Sequence, residues 1–536
     1  MSPVLQNRIV VTPDQAKPRE LSLKLLERGK EIDIGRVIGS RGFQNENTAL
    51  AAVALELGRE GASLVYGTGP SETETIAFQL ASDLPRQESE ALKELSKFIK
   101  DHVHPEYSLA TKVLHGVAFH YGKMPNLLRE AIEEAFKNND LKYLVCTTTL
   151  FQGINLPARN VFIDTPTRGR DGKLDAAALW NFAGRAGRLN YDVVGNVFLV
   201  NYDKWPEHPL TERQPFRLEP AFRTTVVEKY DDVLNVLRST PDANLAGTSS
   251  QALAAAGLMI SRASKGSLST FIGRMETGLE AGARDLLIEA AQEAQQALDL
   301  PANILESNWT VSPFGQARLL RRFRALIKEG RAKELVPRHP SGDVLSNYVR
   351  IFARVNKYIL GVSVHNFNKK LALVGLSWMR GAPLPVLIKK SIEIANGKKK
   401  GNRTVNVDSQ VRGTFEFVED QLRFQYVQLG KAYIDLLRFA LLEDNLEQEA
   451  NSIFDFPLAL ELGVCSAAGQ SFVELGLSRV TASLLQDLLP DSNATPARAR
   501  SWLKSIDASG LQLSSIIQRE LREKGLLAEG DEGPGN

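Results

Sequence analysis

Five short apolar runs constrain what this chain can fold into: Ala62-Ser63-Leu64-Val65-Tyr66, Gly116-Val117-Ala118-Phe119-His120, Tyr143-Leu144-Val145-Cys146-Thr147, Asn160-Val161-Phe162-Ile163-Asp164 and Asn196-Val197-Phe198-Leu199-Val200. Helical patterns separate them. Strands alternating with helices read as a parallel α/β sheet, because each parallel strand needs a crossover to bring the chain back to the same edge. The spacing predicts a helix beginning near Glu72, a second over 125–138 with Pro125 in its favourable first turn, and a third from about Ala176 into the segment 181–188. Residues 83–110 are charged and helical, and read as an insertion between the first strand–helix unit and the second.

After residue 225 the strand signals fade, and amphipathic helical patterns dominate over 316–328, 346–358 and 415–442. The stretch 308–331 has the make-up of a small winged-helix unit, 397–402 is a basic loop, and 529–536 is an acidic, Gly-rich tail expected to be disordered. The domain expectation is therefore a connector over 1–60 that completes the α/β lobe, the lobe itself over 61–225, a helical or winged-helix-like domain over 226–340, a helical bundle over 341–525 and a tail over 526–536. A chain of 536 residues, 43% hydrophobic and 24% charged, can fill several such cores. Its net charge is only +2, so a polyanionic partner has to be held by local basic patches. Two cysteines, Cys146 and Cys465, are too few for a disulfide framework and lack metal-ligand company. No leader or membrane-spanning pattern is evident, and the expectation is a cytoplasmic protein with no membrane partner.

The chemistry concentrates in Asn181-Phe182-Ala183-Gly184-Arg185-Ala186-Gly187-Arg188. Two arginines three residues apart project from one face if this segment is helical, and they are expected beside the sheet's carboxyl edge, where open α/β sheets bind ligands. Each guanidinium is a rigid fork of donors suited to phosphate oxygens, and the glycine before each lets another surface approach. Thr147 and Thr149 fall at the carboxyl end of a predicted parallel strand, where open α/β sheets bind ligands. Their hydroxyls suit nucleic-acid phosphates, contacts that position a strand without reading its bases.

Taken in order, these segments resemble the second RecA-like domain of a superfamily 2 helicase of the DExH/DEAD class. The matching elements are Leu64-Val65-Tyr66 with its Gly/Thr/Ser-rich turn, Phe119-His120-Tyr121-Gly122 followed by Arg129, the run from Cys146 through Gly153-Ile154-Asn155 to Ala158, and the 184–188 block. The resemblance implies a RecA-like sheet of the P-loop NTPase type followed by helical domains. It implies ATP with Mg²⁺ as cofactors and DNA or RNA as partner. Arg188 would be the finger at the γ-phosphate with Arg185 its companion, while Gly153, Asn155 and Asn181 would lie at the nucleotide. Thr68, Ser71, Thr147 and Thr149 would touch nucleic-acid phosphates. Asn181 departs from the family, which usually carries glutamine or histidine there, and its shorter amide reaches less far. Loss of such a finger costs about three to five orders of magnitude in rate.

A complete motor of this class also needs a GxxxxGK[ST] phosphate loop and an acidic Asp-Glu pair on a first lobe. Neither occurs in usable context in these residues, and roughly sixty residues before Leu64 are too few to build that lobe. The expectation is a chain inactive alone: the second half of an ATP-dependent helicase or translocase completed by a protein bearing the first lobe, or a truncated product. The alternative is a nucleic-acid-binding or assembly scaffold built on a helicase lobe. In the helical remainder, Lys398, Lys399, Lys400 and Arg403 form the densest basic cluster and are candidate phosphate contacts. The arginines between 318 and 331 could equally line a solvated face or touch nucleic acid, whereas the Gly476-Leu477-Ser478-Arg479 turn reads as ordinary helix packing ahead of a small helix–hairpin–helix contact.

Overall fold

The computed structural model describes residues 5–45, 48–148, 156–168, 172–174, 176–187, 194–211, 220–275, 278–398, 405–506 and 513–527. Two compact units result. One gathers Met1–Phe216, Leu384–Glu416 and Ser501–Asn536; the other comprises Arg217–Pro383 and Phe417–Arg500.

The first unit is built on an eight-stranded sheet. In chain order its elements are β1 (Leu5–Pro13), β2 (Glu20–Glu27), β3 (Lys30–Ile38), α1 (Ala49–Leu57), β4 (Ser63–Tyr66), α2 (Pro70–Ser82), α3 (Glu90–His102), α4 (Leu109–Lys112), β5 (Val117–His120), α5 (Asn126–Lys137), β6 (Tyr143–Cys146) and β7 (Asn160–Asp164). A two-strand ladder of β8 (Thr167–Arg168) and β9 (Gly172–Lys173) comes next, then α6 (Ala176–Ala183) and β10 (Val194–Val200). The strand order is β3-β2-β1-β10-β7-β4-β6-β5, with every neighbouring pair from β1 to β5 parallel. All five strands foreseen from the apolar runs are present, and helices cover them so that β4, β5 and β6 are buried throughout. This is the RecA-like α/β sheet expected, followed by helices.

Register in the parallel part is marked by polar side chains. Asn7, Asn196 and Asn160 lie opposite one another on β1, β10 and β7. The Asn7 amide donates to the Asn196 carbonyl at 3.2 Å, and Asn196 donates to Asn160 at 3.1 Å. A one-residue slip would break both bonds and turn each apolar neighbour to the wrong face. The core between the strands is aromatic, with Phe162 and Phe198 stacked at 4.7 Å.

The N-terminal residues extend this sheet. β1 joins β10 in parallel, and β2 and β3 add as a hairpin whose Arg28-Gly29 turn has φ of 47° and 77°, the pair of positive values a two-residue type I′ turn demands. The segment expected as a connector thus contributes three strands to this sheet.

The second unit is helical. Its helix Tyr426–Glu443 packs against Pro313–Lys328, where the Phe323 and Tyr433 rings meet edge to face at 4.9 Å. Ser312 caps Pro313–Lys328 by accepting from the Gly315 N–H, with Pro313 in the first turn. No strand follows Val200 among the described residues, so the winged-helix expectation for 308–331 finds no wing there: that stretch is helix packed on helix. Most of the predicted tail, 528–536, lies outside the described residues. No single helix among the described residues is long and apolar enough to cross a membrane.

Candidate functional site

α6 delivers the arginine segment, but it ends at Ala183, so the expectation of one helix carrying both arginines on a single face is corrected. Arg185 sits in a turn: its N–H donates to the Phe182 carbonyl at 3.0 Å, and the Ala186 N–H donates to Ala183 at 3.1 Å. The helix stops because a neighbouring strand competes for its last groups. Ala158 N–H donates to the Arg185 carbonyl at 3.0 Å, Gly187 N–H donates to the Ala158 carbonyl at 2.7 Å, and Ala158 and Ala186 form a parallel bridge. Gly187 leaves this bridge at φ +95°, a value that favours glycine. Gly184 has no such constraint and is exposed.

The position of the turn is a second correction. Ala158 lies two residues before β7, and Gly195, second in β10, packs so closely that an added Cβ would stand 2.3 Å from the Ala186 carbonyl carbon. The Arg185 backbone is therefore anchored at the amino ends of β7 and β10, not at the carboxyl edge expected for the arginines. The turn goes there because the segment entering β7 offers it unpaired backbone groups. The Arg185 charge opposes the upward shift that burial imposes on the Cys146 thiol at the end of β6. Arg185 itself is half-buried, and burial lowers its pKa from the ordinary guanidinium value. Its Nε is buried with no hydrogen-bond partner among the described residues. Such a donor is open to a water or a ligand oxygen.

At the carboxyl ends of β4, β5 and β6 the neighbouring residues are laced together. Gly67 N–H donates to the Cys146 carbonyl at 2.9 Å, and Thr147 N–H donates to the His120 carbonyl at 3.3 Å. Thr147 is almost wholly buried. Thr68 and Ser71 open α2: the Thr68 N–H donates to the Glu72 carboxylate at 2.7 Å, its hydroxyl donates to the same oxygen, and Ser71 is exposed in the first turn. Glu72 thus ties down the residue before the N-cap and puts a negative charge beside Thr68 in the first turn of α2. Asn181 is exposed on α6. Thr149, Gly153, Asn155, Arg188, Lys399, Lys400 and Arg403 lie outside the described residues, as does the side chain of Lys398, the last residue of helix Leu384–Lys398.

The arginines of Pro313–Lys328 are engaged within their own unit. Arg324 pairs with Glu443 and Asp299, Arg321 with Asp242, and Arg318 donates to the Tyr358 carbonyl at 3.1 Å. Arg479 is half-buried, stacked 3.9 Å from the Trp378 ring centroid, and donates to the carbonyls of Gly463, Trp378 and Ala382. Burial pushes its pKa down to about 9. The 476–479 turn is thereby helix packing. Among the described residues no cluster of three or more His, Cys, Asp and Glu could hold a metal ion.

Two contacts at the arginine turn escaped the sequence reading. Gln6 on β1 donates from its side-chain amide to the Ala183 and Ala186 carbonyls at 3.3 and 2.9 Å. Arg8, two residues on, lies over the Trp180 ring of α6 at 5.4 Å. Their only advance signal was the i, i+2 spacing of two long polar side chains entering an apolar strand.

Residues 94–190 match the family described as the helicase conserved C-terminal domain. Relatives include the ATP-dependent DNA helicase Hel308 of the archaeon Methanocella arvoryzae, 34% identical over 184 residues that make up 32% of this chain and 24% of that protein. DNA polymerase theta of Drosophila melanogaster is 30% identical over 179 residues, 30% of this chain and 8% of that protein. Anti-bacteriophage protein B of Escherichia coli is 30% identical over 140 residues, 26% of this chain and 17% of that protein. The matched stretch thus spans a quarter or less of each of these relatives. The family match begins inside α3, yet β4 before it belongs to the same sheet, between β7 and β6. On the matched stretch, the arginine turn and the parallel sheet that anchors it, this chain carries a superfamily 2 helicase C-terminal domain.

Proposed function

We propose that this chain acts in an ATP-dependent nucleic-acid helicase or translocase, supplying the arginine lobe and nucleic-acid-binding surface of a composite motor. ATP and Mg²⁺ are held with a first RecA-like lobe whose phosphate loop and acidic pair are not among these 536 residues, whether that lobe comes in trans or on the same polypeptide. The observation that carries the reading is the backbone-clamped turn of Arg185 with its buried, unpartnered Nε. A guanidinium fixed before the nucleotide arrives stabilises charge developing on a phosphate without reorganising at that moment. Arg188 is the finger in this reading and Arg185 its companion, with Gly153, Asn155 and Asn181 at the nucleotide. DNA or RNA lies across Thr68, Ser71, Thr147 and Thr149 and reaches Lys398, Lys399, Lys400 and Arg403. The relatives named as DNA helicases favour DNA. A cytoplasmic setting belongs to the same proposal, supported by Cys146 and Cys465 as free thiols.

The test is a nucleic-acid-stimulated ATPase assay of this chain with and without a protein carrying the missing phosphate loop and acidic pair. Turnover is expected only in the mixture. There, Arg188→Ala lowers kcat about a thousandfold or more, and Arg185→Ala also lowers it, while nucleic-acid affinity stays within about twofold. Nucleic-acid binding with no turnover in any such mixture defeats the motor reading and leaves the scaffold alternative.

A further inference from the structure

We propose that Gln6 is a positioning residue for the arginine turn: its side-chain amide fixes the backbone on either side of Arg185 and so sets where the guanidinium stands. The proposal rests on the motor reading for its functional consequence, but its structural content is independent of it.

The carbonyls at the end of a helix have no partner within the helix and must find one elsewhere. In a continuing helix the Ala183 carbonyl would receive the Gly187 N–H, but that N–H is drawn away to Ala158. The Ala183 carbonyl keeps only the tighter bond from the Ala186 N–H, and Gln6 adds a second donor: its single amide offers one N–H to Ala183 and the other to Ala186. It therefore grips the turn on both sides of the arginine.

Register makes the grip possible. Gln6 on β1 lies opposite Gly195 on β10, the residue whose missing side chain lets the turn settle against the sheet. With any Cβ at 195, the Ala186 carbonyl could not descend to where the neighbouring strand's amide reaches it. Gly195 and Gln6 are thus two halves of one seat, a hollow on one strand and a donor on the next. Arg8, on the same side of β1, holds α6 one turn earlier through Trp180, whose indole N–H donates to the Pro209 carbonyl at 3.0 Å. A leucine at position 6 would keep the bulk and lose both donors. A glutamate would point a charged acceptor at two carbonyls.

The test compares Gln6→Leu with the unaltered chain by amide hydrogen exchange, using the Ala158 and Gly187 amides as reporters because both bonds close the turn. The expected result is exchange faster by about tenfold at these amides, with β4, β5 and β6 unchanged. Unchanged exchange at the turn, or faster exchange spread through the whole sheet, overturns the proposal. In the reconstituted ATPase, Gln6→Leu should lower kcat on the order of ten- to a hundredfold at constant KM for ATP, and should have no further effect in an Arg185→Ala background. Equal falls in both backgrounds overturn it. If the unaltered chain shows no turnover with any first lobe, the motor reading has failed, and the exchange result alone decides whether Gln6 positions the turn.

Discussion

Gly187 and Gly195 play different parts at the arginine turn. Gly187 is required by its φ of +95°, whereas Gly195 is required by the Ala186–Gly187 backbone lying against it. Gly195→Ala forces backbone against backbone, which cannot be relieved by a rotamer change. We expect it to cost about 1–3 kcal/mol in chemical denaturation, the range for overpacking a tight core. Gly187→Ala should cost about 1–2 kcal/mol from left-handed backbone strain. Equal stability of the Gly195 variant would show that the turn is not seated on β10. Both arginines could be picked out from the string 184–188, because arginine pairs flanked by glycine suit phosphate. The hollow at Gly195 could not, since a lone glycine early in a strand is silent about which segment occupies the space above it.

At the scale of elements, the helix Val407–Glu416 joins the first unit through a buried polar cluster. Glu74 on α2 pairs with Arg412 and accepts from the Tyr121 hydroxyl at 3.2 Å, and Tyr121 shares a 3.2 Å hydroxyl contact with Tyr107. Asp408 accepts from the Ser108 N–H at 2.9 Å, and Lys112 lies over the Phe78 and Phe119 rings. Burial raises the Glu74 pKa to about 7; Arg412 and Tyr121 pull it down and Asp408 pushes it up. A carboxyl whose folded pKa is raised binds its proton more tightly in the folded state. Its stabilising contribution is therefore full below the unfolded value near 4.5 and is lost as pH rises through about 7. The melting temperature should accordingly fall from pH 5 to pH 8, and Glu74→Gln should flatten that slope. A slope identical in the variant would remove Glu74 as its source. Arg412 and Glu74 stand 338 residues apart, so no local pattern could pair them. The strands and helices of the sheet were legible for the opposite reason: periodicity and turn residues act over a few positions.

For the whole molecule, the first unit draws on three separate stretches of chain. A chain cut after residue 225 would leave Glu74 without Arg412, and Glu134 without Arg519, which pairs with it at 2.6 Å. It would also uncover Tyr107, whose ring meets Phe415 at 6.4 Å. Such a fragment should melt at lower temperature than the full chain and bind a hydrophobic dye at neutral pH; a fragment as stable as the full chain would make the returning helices dispensable. The sequence by itself determined the strand–helix alternation, the arginine-bearing segment and the helical character of the chain beyond the sheet, because apolar spacing and backbone propensities are read over neighbouring residues. Only the tertiary structure decided where α6 ends, which edge of the sheet anchors Arg185, that Gln6 holds it, and which helices close the lobe. Those outcomes depend on competition for backbone donors and on burial between residues far apart in the chain, and neither leaves a mark on local sequence.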